Sequence, residues 1–440
     1  MKHIVLFGAG KSATVLISYL KELATEKQWR VTVADSQLVV AAAKTGIHPL
    51  VQPVQTDILD DSKRKELIGA ATLVISMLPP ALHYLVALDC LAYKKHLLTA
   101  SYVDERIRAL AADVESAGIL FLCETGLDPG IDHMSAMQCI DRIRNAGGRL
   151  RSFLSHCGGL VAPHSDNNPW HYKISWNPRS VVLAGKAGAV YRENNQTVRL
   201  SYPEVFSRSG EIDVPGAGKM ESYANRDSLD YIALYGLHDI PDFTRTTLRY
   251  PGFCRGWEMV IALQLTDEEK KFRTDGLSIR EFFRQHLGAP GAGNAARTIE
   301  SDPILKSQFE WLGMNDDQPI NRGICSAADV LQYLLETRLA LQPSDRDLVV
   351  MLHEFEYSIG NNRKRLRSTL VAEGYDSLHT AMAKTVGLPL GIAARLILEE
   401  KIVEKGLHIP VAESIYEPIL AELENRGIRF MEEEQDIPSR

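Results

Sequence analysis

Residues 2–13 read Lys2-His3-Ile4-Val5-Leu6-Phe7-Gly8-Ala9-Gly10-Lys11-Ser12-Ala13. Ile4 to Phe7 form a short continuous apolar run, the pattern of a strand buried on both faces of a parallel sheet. Gly8 ends the run, and Gly8 to Ala13 fit the spacing G-x-G-x-x-G/A. Val15, Leu16, Tyr19, Leu20 and Leu23 follow at helical spacing, so a helix starts directly behind the glycines. Gly8 suits a tight turn, Gly10 lets a pyrophosphate approach the backbone, and Ala13 lets the helix pack close to the strand. The helix N-terminus then offers unpaired N–H groups to phosphate.

A second apolar strand, Arg30 to Ala34, ends in Asp35. A carboxylate there accepts hydrogen bonds from both adenosine ribose hydroxyls and repels a 2′-phosphate, which favours NAD over NADP while leaving NADP possible. The competing reading makes Asp35 a polar residue that opens a loop. Val51–Thr56 reads as a third strand with Asp57 at its carboxyl end, beside an adenine. A helix over 60–69, a buried strand over 71–78 stopped by Pro79-Pro80, a helix over 81–93, a strand over 96–100, a helix over about 104–117 and a strand over 119–123 continue the alternation. Such alternation predicts an α/β fold with a Rossmann-type doubly wound parallel sheet.

The 440 residues are too many for one core and predict more than one domain. With 45 % hydrophobic and 24 % charged residues the composition is ordinarily globular. A formal charge of −7 without a basic run argues against nucleic acid. No signal-type start and no stretch near the ~20 apolar residues of a membrane span are apparent, so a soluble, cytoplasmic protein is expected. Six cysteines without C-x-x-C spacing indicate neither a disulfide framework nor a metal site.

Two strand ends carry candidate chemistry. Ser101-Tyr102 supplies two hydroxyls, and Asp128 sits in the Pro/Gly turn Gly126-Leu127-Asp128-Pro129-Gly130. Strand-end groups of a doubly wound sheet face the cofactor crevice. The same turn reads equally as a cap for a helix over 131–145.

Thr99-Ala100-Ser101-Tyr102, Gly126 to Met134, Cys157-Gly158-Gly159-Leu160, Asn168-Pro169, Tyr172 to Trp176, Asn225-Arg226-Asp227-Ser228, Thr247-Leu248-Arg249-Tyr250 and the closing Ala381 to Gly387 resemble, in this order, the L-glutamate-forming saccharopine dehydrogenase (saccharopine reductase) family. The resemblance implies NAD(P)-dependent oxidation of saccharopine to L-glutamate and 2-aminoadipate 6-semialdehyde, or the reverse imine reduction. It implies cofactor contacts at Gly8, Gly10, Ser12, Asp35, Asp57, Leu78, Ala100, Ser101 and Leu127. Saccharopine contacts fall on Ser101, Tyr102, Asp128, Arg226, Thr247, Leu248 and Arg249, with Asp128 and then Tyr102 in the acid/base role. Arginines suit the substrate's carboxylates because their donors are fork-shaped. A homodimer is the family expectation. His164 and Trp170 depart from the family pattern and bear on the exact substrate. Two rivals are a dehydrogenase of another carboxylated secondary amine, such as carboxynorspermidine, and a non-catalytic NAD-binding regulator.

By the same reading residues 1–130 form the nucleotide domain, completed by C-terminal helices within 376–440. Residues 131–375 form the substrate and dimerisation domain, with strands over 150–157, 173–176 and 345–356 and a helical insertion over about 265–345. Within that insertion 289–296 reads as a loop. The C-terminal helices are placed at about 377–387, 389–401 and 414–426.

Overall fold

The computed structural model describes residues 1–438, and the chain divides into two compact units. The first contains Met1–Gly147 and Leu378–Arg429, the second Gly148–Ser377 and the residues from Phe430 onward.

In chain order the first unit begins β1 (His3–Phe7), α1 (Thr14–Lys27), β2 (Arg30–Asp35), α2 (Leu38–Thr45), β3 (Val51–Gln55), α3 (Asp61–Ala70), β4 (Leu73–Ser76), α4 (His83–Ala92), β5 (His96–Thr99), β6 (Leu120–Leu122) and α5 (Ile131–Asn145). The second unit supplies β7 (Arg149–Val161), β8 (Gly210–Val214), β9 (Gly218–Ala224), β10 (Asp242–Arg249), β11 (Asp347–Ile359) and β12 (Asn362–Glu373). The chain then adds α6 (Ala381–Leu398), β13 (Gly406–His408) and α7 (Glu413–Asn425) to the first unit, and β14 (Met431–Ile437) to the second.

The first unit's sheet is seven-stranded and parallel, in the order β13-β6-β5-β4-β1-β2-β3. The order reverses beside β1, so the crevice at the carboxyl ends of β1 and β4 is the ligand position of an open α/β sheet. Strands β1 and β4 are wholly buried, because helices cover both faces. The second unit's sheet runs β8-β9-β10-β7-β11-β12-β14, with β7 and β10 parallel and the other neighbours along this path antiparallel. A separate apolar core joins Trp170, Phe253, Trp257, Phe282, Phe309 and Leu331 in its helical part.

Several boundaries differ from the sequence reading. The helix over 131–145 belongs to the first unit, which runs to Gly147 rather than 130. The C-terminal tail does not all return to the nucleotide unit: β14 pairs with β12, where its Glu433 lies opposite Arg367 and Glu434 opposite Leu366. The two helices placed on either side of Leu388 are one, α6, with Pro389 inside it. An interior proline costs about 3 kcal/mol. Tight packing offsets it, since 83 % of α6 is buried and a Cβ on its Gly391 would lie 2.4 Å from the Tyr19 ring of α1. By length and apolarity α6 alone among the described residues could cross a membrane, against the expectation that no stretch came near; here it is a core helix.

The helix over 104–117 splits into Glu105–Arg108 and Ala111–Ser116. Its ladder tightens at Leu110, whose N–H bonds the Ile107 carbonyl. Residues 173–176 form no strand: Ile174 makes one bridge to Ala340, while Asn168 Nδ2 holds the Tyr172 carbonyl at 3.1 Å. The loop over 289–296 gives way at Gly293 to a helix, Gly293–Ser301, because Ala295 and Ile299 supply a buried face.

Candidate active site

The glycine turn is shaped by a close backbone approach. Gly8 has φ +97°, and a Cβ on it would lie 2.7 Å from the Met77 carbonyl oxygen, beyond the end of β4. Only glycine fits there. Gly10 is the opposite case: a Cβ would meet nothing within 4 Å, so the face above it is open to a phosphate. Behind it a 3-10 turn, Lys11–Ala13, carries half-buried Ser12 into α1.

Asp35 closes the turn from the side. Its Oδ2 accepts from Ala9 N–H at 2.7 Å and its Oδ1 from Gln37 N–H at 2.9 Å. Each oxygen keeps a lone pair for a ribose hydroxyl. Lys44 on α2 donates to the Gly10 carbonyl. Burial lowers its pKa to about 8, against the pull of Asp35. Asp57 is exposed and its Oδ1 accepts from Leu59 N–H at 2.9 Å. Leu78 is half-buried just beyond β4. Open glycine backbone, a carboxylate at the end of β2 and a helix start together fit a dinucleotide.

The ends of β4, β5 and β6 build a second, polar cluster. His83, at the start of α4, is 2 % exposed, with Nδ1 2.8 Å from Ser76 Oγ and Nε2 2.7 Å from Ser101 Oγ. Burial lowers its pKa to about 4, so the ring is neutral at pH 7. Tyr102 donates its hydroxyl to Asp128 Oδ1 at 3.0 Å, which brings the two acid/base candidates together. Both side chains are half-buried.

Asp128 stands on a loop that closes on itself. Gly126 N–H bonds the Pro129 carbonyl and Ile131 N–H the Gly126 carbonyl, both at 2.9 Å, across a cis Asp128–Pro129 bond. Gly130 has φ +148°, where a Cβ would lie 2.1 Å from Gly126 O. The N-cap position of α5 is taken by Gly130, two residues beyond Asp128. Ala100 touches the loop, since a Cβ on Gly126 would fall 2.9 Å from its Cβ. Leu127 is buried. Beneath the loop, buried Glu124 accepts from Val103 N–H at 3.0 Å and meets His133 Nε2 at 2.9 Å. Glu124 thereby ties the Ser101–Val103 segment to the Asp128 loop.

In the second unit the two arginines that the resemblance assigns to substrate differ. Arg226 is exposed at φ +52° in a two-residue strand beside Ala189 and Val190. Arg249, at the end of β10, is 4 % exposed. Its guanidinium carbon lies 5.1 Å from the ring centres of Tyr172 and Phe253 and 5.7 Å from that of Tyr223. Nη1 donates to the Leu248 carbonyl at 2.8 Å, Nε has no partner, and no carboxylate pairs with the group among the described residues. Thr247 is half-buried, while the Leu248 side chain sits in an apolar cluster with Leu160 and Val350, leaving only its backbone for a ligand.

Lys173, in one of the segments that carry the resemblance, is committed to Asp345 at 2.6 Å. The two departures lie in different settings. His164 is exposed, 3.8 Å from Glu373. Trp170 is fully buried, its indole N–H on the Gln308 carbonyl at 2.8 Å. All six cysteines are buried, and no cluster suited to a metal ion occurs among the described residues.

His83 and Lys44 escaped the sequence reading. Their signals were available in the first turn of a helix behind the Pro79-Pro80 stop and in the helix that follows Asp35, but neither residue stands at a motif position.

A glycine-turn cradle and an acid–phenol pair over the ends of one parallel sheet define a dinucleotide-dependent oxidoreductase. Residues 4–122 match the saccharopine dehydrogenase NADP binding domain and residues 126–428 the saccharopine dehydrogenase C-terminal domain, and the chain belongs to the saccharopine dehydrogenase family. It is 32 % identical to saccharopine dehydrogenase (NADP(+), L-glutamate-forming) of Saccharomyces cerevisiae, over 98 % of this chain and 99 % of that one. Alpha-aminoadipic semialdehyde synthase of Arabidopsis thaliana is also 32 % identical over 98 % of this chain, which spans only 44 % of that longer protein. The apo saccharopine dehydrogenase (L-Glu forming) structure from S. cerevisiae superposes with a TM-score of 0.87 at 31 % identity over the whole of both chains.

Proposed function

We propose that this chain is a saccharopine dehydrogenase of the L-glutamate-forming type, oxidising saccharopine to L-glutamate and 2-aminoadipate 6-semialdehyde in lysine metabolism, or running the reverse reduction. The observation that carries it is Arg249. A buried guanidinium stays charged, and burying it without a counter-ion costs several kcal/mol. Aromatic faces recover part of that, and a substrate carboxylate supplies the missing partner. Saccharopine, with three carboxylates, offers one.

The glycine turn with Asp35 would hold the dinucleotide, which when bound would supply the hydride acceptor for the substrate carbon beside the secondary nitrogen. Tyr102 and Asp128 handle the proton at that nitrogen: the carboxylate accepts it as the imine forms, and the phenol orients the carboxylate. Water then adds to the imine carbon, the C–N bond breaks, and the proton held by Asp128 serves the departing amine. Ser101 lines the same cluster.

Asp35 favours NAD. Lys44, a cation beside it, is the observation that favours NADP, the cofactor in the name of the S. cerevisiae relative. The resemblance adds a homodimer, which light scattering of the purified protein tests.

The deciding assay follows absorbance at 340 nm with saccharopine and each nucleotide. Turnover lost in Arg249→Met, with nucleotide binding retained, supports the reading. No turnover with either nucleotide overturns it.

A further inference from the structure

We propose that His83 is a positioning residue for this reaction: held as the Nε2–H tautomer between Ser76 and Ser101, it fixes the Ser101 hydroxyl so that its proton points to the bound ligand. The proposal rests on Ser101 belonging to the site.

The geometry gives the ring one role at each nitrogen. Being neutral, it carries one N–H and one acceptor. Ser76 is fully buried, and the hydrogen bond its hydroxyl makes is to Nδ1 at 2.8 Å. A buried O–H that fails to donate is costly, so Ser76 donates and Nδ1 carries the lone pair. The proton is therefore on Nε2. Nε2 faces two oxygens, Ser101 Oγ at 2.7 Å and Thr99 Oγ1 at 3.5 Å, which suits a donor with a main and a side acceptor. Thr99 Oγ1 also accepts from Ser101 N–H at 3.2 Å, so backbone and hydroxyl of Ser101 are both pinned. With its oxygen occupied as acceptor by His83, the half-buried Ser101 hydroxyl has its proton left for a ligand acceptor. In the opposite tautomer Ser101 would spend that proton on the ring. Asp104 is the charged group acting on the ring, and it does not offset burial.

The test uses the full chain with saccharopine and its preferred nucleotide. His83→Ala is expected to lower kcat about 10- to 100-fold, the scale of a misplaced polar group at a reacting centre. His83→Gln, whose amide N–H can replace Nε2–H, should recover part of the loss. The double variant H83A/S101A should be no slower than S101A alone. Nitrogen-15 NMR of the histidine rings in the unsubstituted protein should show Nδ1 unprotonated, which decides the tautomer even if H83A fails to fold. A protonated Nδ1, or multiplicative losses in the double variant, overturns the proposal. An impaired S101A beside an unimpaired H83A removes His83 alone, whereas an unimpaired S101A removes Ser101 from the site and the proposal with it.

Discussion

The strand ends of the first unit and the end of β10 in the second bury polar groups in opposite ways. Around β4 to β6 each polar side chain has found a partner within the protein: His83 between two serines, Glu124 with His133 and Val103 N–H, Tyr102 on Asp128. Around Arg249 the protein supplies three rings and one carbonyl, and leaves Nε without a partner. A completed network fixes where groups stand, as reacting groups require. An incomplete one leaves a buried charge short of partners. Under the proposed function, the difference separates machinery that acts from a socket that binds.

Substitutions can break that contrast. The largest effect is expected from Arg249→Met: kcat/KM for saccharopine should fall about 10³-fold, the loss of a buried charge-paired contact, with nucleotide affinity unchanged. Arg249→Lys should rescue little, since an ammonium lacks the planar fork. Steady-state kinetics and nucleotide titration check both. Next, Asp128→Asn should lower kcat about 10²- to 10³-fold, the range of general acid–base catalysis. Tyr102→Phe should cost about tenfold, one hydrogen bond to a charged group. An effect of D128N confined to KM would move Asp128 from the acting side of the comparison to the binding side.

Smaller effects sharpen it. Asp35→Ala should shift the NADP/NAD ratio of kcat/KM upward about tenfold, one charge repulsion being worth about 1–2 kcal/mol near a surface. Lys44→Ala should lower the ratio, and in the unsubstituted protein it should decline as pH rises through about 8 and Lys44 loses its proton. The smallest concerns stability. His83 is neutral in the fold with a pKa of about 4 against 6.5 free, so the unfolded chain binds the extra proton first. Its contribution is complete above pH 6.5 and is lost as pH falls towards 4. The loss amounts to about 3 kcal/mol, and H83Q should flatten that limb in urea melts.

The sheet of the first unit was legible because its strands are short apolar runs closed by Gly8, Asp35, Pro79 and Gly126, where turn chemistry and burial agree. Tyr102 and Asp128 were legible through motif position, though nothing in the spacing says that their oxygens meet. His83 was not, because a histidine behind a proline stop looks like any other until Ser76 and Ser101 close on it. Pro389 misled through a rule that holds for exposed helices, whereas α6 is held from outside by α1. β14 was missed because Met431 to Ile437 carries four carboxylates in seven residues. It is an edge strand whose Glu433 lies opposite Arg367 and whose Asp436 lies opposite Lys364 of β12, and that complementarity lies in pairing, not in local pattern.

The partnership of α1 with α6 also has a consequence in time. During synthesis the first 147 residues leave the ribosome as most of a nucleotide-binding unit, yet the helix that covers α1 is encoded after the entire main body of the second unit. At roughly 5–20 residues per second, the nascent chain presents Leu16 and Tyr19 without their cover for some tens of seconds. That interval closes only once α6 has been made.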